Sequence, residues 1–80
     1  MKRYNIVYNS VLKKYVYFEG LERSKQHNRL DLIESEVFLQ LKKIKRENKK
    51  GNLVLKEMPD NLESRIIAFF KKSKIVIKKD

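Results

Sequence analysis

The sequence predicts a small single-domain α+β protein, residues 1–80, in which one sheet is covered by two helices in the order ββαβαβ. Three features predict this fold: a Tyr- and Val-rich segment at residues 3–18, an apolar repeat of helical period at residues 30–44, and a strand-helix-strand pattern after Gly51. A chain of 80 residues has room for one domain, and on folding it buries about 60 to 65% of the surface that the unfolded chain exposes, so its core is small.

The first segment, RYNIVYNSVLKKYVYF, contains the residue types that favour strands, with Asn9 and Ser10 as turn formers between two apolar runs. Two registers are open for this hairpin. A two-residue turn at Asn9 and Ser10 pairs Tyr8 with Val11, whereas a longer loop through Lys13 pairs Tyr8 with Tyr15. We prefer the longer loop, because it places apolar side chains opposite each other and leaves the lysines in solvent.

A long helix is predicted next, after a polar segment that contains Ser24 and Asn28 as candidate N-caps. Its apolar stripe repeats with spacings of three and four residues, and Gly51 ends it after about 20 residues. Leu32 and Leu39 lie seven residues apart on another face, which predicts contact with a further element or with a second copy in a homodimer. The residues of the stripe are Leu30, Ile33, Val37, Leu41 and Ile44.

The last part of the chain predicts a strand at residues 53–57, a helix that runs through Lys74, and a strand at residues 74–77. Asp60 is the expected N-cap of the helix, and Glu63 follows at the capping-box spacing. If both strands share a sheet, the helix between them is a crossover and the strands are parallel.

Charge is concentrated in the second half of the chain. Lys and Arg total 20 against 10 acidic residues, and residues 41–80 carry a net charge of +8 against +2 for residues 1–40. A field of one sign attracts polyanions, so nucleic acid is the first partner to consider, followed by an acidic surface on another protein. A general bias toward lysine is the competing explanation, because 15 of the 20 basic residues are Lys.

The predicted nucleic-acid contacts fall into three groups. The helix dipole explains some of the cations at the end of the first helix, but not six within nine residues. A second cluster follows near the end of the chain, and tyrosines beside lysines in the hairpin predict base stacking on single strands. The predicted residues are Lys42, Lys43, Lys45, Arg46, Lys49 and Lys50, then Lys56, Lys71, Lys72 and Lys74, and finally Lys13, Lys14, Tyr15 and Tyr17.

No catalytic residue, metal site or cofactor is predicted. The chain has no cysteine and one histidine, and neither Gly20 nor Gly51 belongs to a phosphate-binding loop. No apolar run approaches the roughly 20 residues that span a bilayer, so we expect a protein of the cytoplasm.

Three functions therefore stay open. The first is a small basic nucleic-acid-binding protein that contacts phosphates largely without sequence specificity. The second is a regulator or inhibitor that binds an acidic surface of another protein. The third is a metal-independent endoribonuclease, which would use Lys, Arg, Glu, Tyr or His side chains as acid, base and phosphate clamp.

Overall fold

The computed structural model describes residues 2–20 and 26–80. Within them, each strand and helix matches a local sequence pattern, and both helices carry acidic residues in the first turn, as the helix dipole favours. The elements in chain order are β1 (Lys2–Asn9), β2 (Lys14–Glu19), β3 (His27–Leu32), α1 (Glu34–Glu47), β4 (Gly51–Lys56), α2 (Asp60–Phe69) and β5 (Ile75–Lys79).

The five strands form one mixed sheet in the order β3-β2-β1-β4-β5. β1 and β2 are antiparallel, as are β2 and β3, whereas β1, β4 and β5 run parallel to one another. The predicted fold class is confirmed: a small α+β domain with two helices, including the parallel pair that flanks α2.

The start of the predicted long helix is wrong, because residues 27–32 form β3 instead. Leu30 and Leu32 alternate with Arg29 and Asp31 and pair with Tyr17 and Tyr15 of β2, so the strand period outweighs the helical one here. α1 therefore begins at Glu34 and ends at Glu47, well before Gly51.

The cap of α1 also differs from the prediction. The backbone N–H of Ile33 donates to Oε1 of Glu36 at 3.0 Å, and Ile33 is the N-cap residue. Asn28 lies in β3 with a φ of 54°, close to the point where the pairing with β2 shifts, and Ser24 lies outside the described residues. A glutamate three residues into the helix thus stabilises a start that has no capping side chain before it.

The preferred hairpin register is confirmed. Tyr8 pairs with Tyr15 and Val7 with Val16, and a loop through Lys13 joins the strands. Oδ1 of Asn9 accepts hydrogen bonds from the backbone N–H groups of Val11 and Leu12, each at 3.0 Å. This Asx turn explains why asparagine stands at the end of β1.

The predicted N-cap of α2 is wrong by one position. Pro59 is the N-cap residue and has no capping side chain, while Asp60 is already inside the helix. Glu63 donates its backbone N–H to the Pro59 carbonyl at 2.9 Å, and its carboxylate pairs with Lys79 of β5 at 3.0 Å. The two acidic residues therefore act on the helix dipole and on β5, rather than as a capping box.

Both helices pack on the same face of the sheet. The core between them and the strands contains Ile6 and Tyr17 from the hairpin, Leu53 and Ile75 from the parallel strands, and the helical residues. The helical core residues are Val37, Leu41 and Ile44 from α1 and Leu62 and Ile66 from α2, with Phe70 directly after α2.

Candidate nucleic-acid interface

The topology brings the ends of both helices to one end of the sheet. β1, β4 and β5 are parallel and therefore begin at the same end. α1 leads from the far end of β3 to the start of β4, and α2 leads from the far end of β4 to the start of β5. Both helices consequently finish where the three parallel strands begin.

Direct contacts join the two helix ends. Nζ of Lys45 on α1 donates to the backbone carbonyl of Phe69 on α2 at 2.8 Å, and it lies 4.6 Å from the centre of the Phe69 ring. Farther on, the backbone N–H of Gly51 donates to the Lys74 carbonyl at 3.4 Å. These contacts place the segment after α1 beside the segment after α2, so the two lysine clusters of the sequence meet.

We call this region the basic end and define it by the cations of the helix ends and of the first residues of β1. Lys2 belongs to it because it pairs in register with Gly51, which pairs in turn with Ile75. Lys42 and Lys43 lie one turn earlier on α1 and are exposed. The members of the basic end are Lys2, Arg3, Lys45, Arg46, Lys49, Lys50, Lys71, Lys72 and Lys74.

Tight turns hold most of these lysines on defined backbone. Asn48 ends α1 with a φ of 54° and donates its N–H to the Lys45 carbonyl. After α2, the hydroxyl of Ser73 donates to the Phe70 carbonyl at 2.7 Å and accepts from the Ile75 N–H at 3.2 Å. Asparagine tolerates the left-handed conformation, and the serine directs the chain from α2 into β5.

One cation of the basic end is already paired. Nζ of Lys2 lies 3.1 Å from Oε1 of Glu19, and Tyr17 donates its hydroxyl to the other oxygen of that carboxylate at 2.8 Å. Burial alone would raise the pKa of Glu19, but the hydrogen bonds from Tyr17 and Lys2 lower it. The hydrogen bond to Glu19 raises the pKa of Lys2, so this lysine stays protonated. The carboxylate of Glu19 offsets part of its positive charge.

Three predicted lysines lie away from the basic end. Lys13 and Lys14 belong to the hairpin loop and the start of β2, and Lys56 ends β4, so all three lie at the opposite end of the sheet. Acidic residues are mixed with them there, among them Glu57 beside Lys56 and Glu63 in its ion pair with Lys79. The predicted set therefore divides into a dense group of cations, near which Glu19 and Glu47 also lie, and a smaller group whose surroundings contain charges of both signs.

The predicted tyrosine stacking surface is wrong for Tyr15 and Tyr17. Both are buried beneath the helices, and Tyr17 has no exposed surface. Tyr4, Tyr8, Tyr15 and Tyr17 share the helix-covered face with Ile6, because the register places Tyr8 opposite Tyr15 and Ile6 opposite Tyr17. Burial also raises the pKa of Tyr17, which leaves its hydroxyl protonated.

Lys2 and Arg3 are members of the basic end that the sequence prediction did not include. To include them, the prediction would have had to place β1 beside β4 and parallel to it, because only this pairing brings Lys2 and Arg3 to the start of β4. Pairing between strands some 50 residues apart is not encoded in the local pattern of either strand.

In the part of the chain that the structure describes, no group of His, Asp and Glu side chains is arranged to hold a metal ion. The helices found there are too short and too polar to cross a membrane. No family model matches this chain, and no match was found among curated proteins or among solved structures.

Proposed function

We propose that this protein binds nucleic acid through the phosphate backbone, with the basic end as the contact surface. The observation that supports the proposal is the meeting of the two helix ends, which gathers cations from three separate parts of the sequence. Such a cluster lowers stability through repulsion between like charges. A polyanion that binds across it would offset that cost, and a charged solvent surface alone would not.

The contact is expected to have little sequence preference. Seven of the nine cations of the basic end are lysines, which bind phosphate as compact charges, whereas arginine is the residue suited to bidentate recognition of base edges. Tyr4, Tyr15 and Tyr17 contribute no stacking, because they lie in the core. The proposed binding is thus mainly electrostatic, and its proposed location is the cytoplasm, in keeping with a chain that lacks cysteine.

The dependence of affinity on salt tests the proposal. If about six cations each neutralise a phosphate, the slope of log K against log salt is near −5, and affinity falls roughly a thousandfold between 50 and 200 mM salt. Fluorescence anisotropy on labelled single-stranded and double-stranded oligonucleotides measures this slope. A slope shallower than about −2 would contradict binding through a phosphate cluster.

Two matched variants locate the contact. The first replaces Lys49, Lys50 and Lys71 with Gln at the basic end. The second replaces Lys13, Lys14 and Lys78 with Gln at the other end. Lys45 is left unchanged in both, because it contacts Phe69. Each variant loses three charges, so a general field effect is equal in both. We expect the first to reduce the salt slope by about three and the second to change it far less.

The outcomes separate the other two functions. Equal losses in both variants would leave lysine-rich composition as the better explanation of the charge. Binding to heparin without measurable binding to any oligonucleotide would favour an acidic protein partner. Shortened oligonucleotides, detected by mass spectrometry after incubation, would favour a ribonuclease.

A further inference from the structure

The two edge strands of the sheet, β3 and β5, differ in the charges that they would present to a second copy of the chain. β5 forms one edge and carries Lys78 and Lys79, so two such strands would bring four lysines to a shared edge. Lysine on an edge strand is a common protection against edge-to-edge association. β3 forms the other edge, where Arg29 and Asp31 provide one charge of each sign. Both side chains are exposed, and within one chain Nε of Arg29 lies 3.3 Å from Oδ1 of Asp31.

The charges of β3 are complementary to those of the same strand in reverse direction. When two copies of β3 run antiparallel with Leu30 opposite the partner's Leu30, Arg29 lies opposite the partner's Asp31, and this pair occurs twice. A slip of two residues in one direction places Asp31 opposite the partner's Asp31, and a slip of two residues in the other direction places Arg29 opposite the partner's Arg29. Opposite charges across a strand pair are favourable and like charges are not, so a single register is selected.

Apolar surface on the same edge supports contact with a second copy. Leu30 and Ile33 are exposed to 40% and 47%, although Leu30 points to the helix-covered face of the sheet. In the Leu30-centred register the two leucines cover each other.

Net charge permits the association at this edge and opposes it elsewhere. β3 itself carries one basic and one acidic side chain and is therefore neutral in a chain of +10. Antiparallel pairing of β3 also turns the two copies in opposite directions. The two basic ends therefore lie at opposite ends of the combined sheet, where their repulsion is smallest.

We propose that two copies of this chain form a dimer by antiparallel pairing of β3, with Leu30 on the two-fold axis, to give a continuous sheet of ten strands. Each copy keeps its basic end exposed, so the dimer presents two separate cationic surfaces. The inference does not depend on what those surfaces bind, and all of its tests are made without nucleic acid.

Charge exchange tests the interface. Arg29→Asp leaves two acidic residues on β3 and Asp31→Arg leaves two basic ones, so each variant repels its own copy in the proposed register. We expect the dissociation constant of each, measured by sedimentation equilibrium, to weaken by about tenfold or more. An equimolar mixture of the two variants restores the dimer as a heterodimer, and the double variant Arg29→Asp/Asp31→Arg restores the homodimer.

Folding of the variants and the association of the wild type need separate controls. Thermal melts of each variant check folding, which these exposed substitutions are expected to preserve. A wild-type protein that stays monomeric up to millimolar concentration overturns the proposal. So does a wild-type dimer that both single variants form equally well.

A cross-link tests the register. The natural chain has no cysteine, so Leu30→Cys introduces a single thiol that meets its own counterpart across the axis, at the separation of paired strands that a disulfide spans. Leu39→Cys and Val76→Cys are matched controls on exposed sites of α1 and β5. We expect covalent dimer from Leu30→Cys alone; equal cross-linking in the controls would overturn the register.

Discussion

The hairpin and the basic end differ in structure although both contain residues typical of nucleic-acid contacts. All four tyrosines of the hairpin share one face with Ile6, and that face lies under the helices. The lysines of the basic end follow the last buried turns of α1 and α2 and remain exposed. The comparison teaches that aromatic residues in the strand period of a core residue belong to the core, whatever charges stand beside them.

The largest expected effect is on the hairpin side of this comparison. Tyr17→Ala removes a fully buried ring between α1 and the sheet, and we expect the free energy of unfolding to fall by about 3 to 5 kcal/mol. The basic-end variant of Lys49, Lys50 and Lys71 to Gln serves as the contrast and is expected to fold normally. Urea denaturation measures the free energy of unfolding of both variants. If Tyr17→Ala is as stable as the wild type, the Tyr17 ring is not part of the core.

A smaller change isolates the hydroxyl of Tyr17. Tyr17→Phe keeps the ring but removes the 2.8 Å hydrogen bond to Glu19. Because the acceptor is a carboxylate, we expect a loss of about 1.5 to 3 kcal/mol in the free energy of unfolding. The double-mutant cycle with Glu19→Gln measures the coupling between the two side chains, and additive effects would contradict the bond.

The pH dependence of that loss follows from the two shifted pKa values. Burial raises the pKa of Tyr17 above its ordinary 10.0, so the folded protein holds this proton more tightly, and the contribution of Tyr17 falls as pH rises above 10. The pKa of Glu19 is lowered below 4.5, so its contribution is complete above 4.5 and is lost as pH falls. The stability difference between wild type and Tyr17→Phe should therefore be largest near neutral pH.

Urea melts across the pH range measure this difference directly. Comparing the two proteins at each pH cancels the change in lysine charge, which is common to both. A difference that does not change as pH falls below 4.5 would show that the Tyr17 hydroxyl and Glu19 do not interact, because burial of Tyr17 alone affects only the alkaline side.

Much of the fold was predictable because its signals are local. The hairpin register follows from the apolar pairs Tyr8 with Tyr15 and Val7 with Val16, and the parallel pair after Gly51 follows from a helix between two short apolar runs. β3 was missed because Leu30 and Ile33 fit a helical spacing as well as a strand, and only pairing with β2 decides between them. The alternation of Leu30 and Leu32 with Arg29 and Asp31 was the available signal.

The candidate site was predictable in part, for a similar reason. The two lysine clusters are visible in sequence, but their meeting depends on α1 and α2 ending at the same end of a parallel sheet. The tyrosines were misread because strand alternation groups them on one face without saying which face the helices cover. Ile6, which alternates with Tyr4 and Tyr8, was the residue that identified that face as the core.

Tyr4 gives a prediction of opposite sign to Tyr17. Among the described residues, no hydrogen bond of good geometry reaches its buried hydroxyl, although the Glu47 carboxylate lies near enough to add to the effect of burial in raising the pKa of Tyr4. Tyr4→Phe removes an unpaired polar group from the core, so we expect a gain of about 1 kcal/mol in the free energy of unfolding. A loss comparable to that of Tyr17→Phe would mean that this hydroxyl is bonded after all.

The smallest expected effect concerns the stability of the basic end. Like charges in one cluster repel one another, and exposed substitutions change stability by up to about 0.5 kcal/mol, so the variant of Lys49, Lys50 and Lys71 should gain at most about that much at low salt. The variant of Lys13, Lys14 and Lys78 should gain less, because acidic residues lie near those lysines. Salt screens repulsion over a distance of about 3 Å at 1 M, so the gain should disappear there. Thermal melts of both variants at low and high salt measure this difference in stability. Equal gains in stability from the two variants would mean that the lysines of the basic end repel one another no more than lysines elsewhere on the surface.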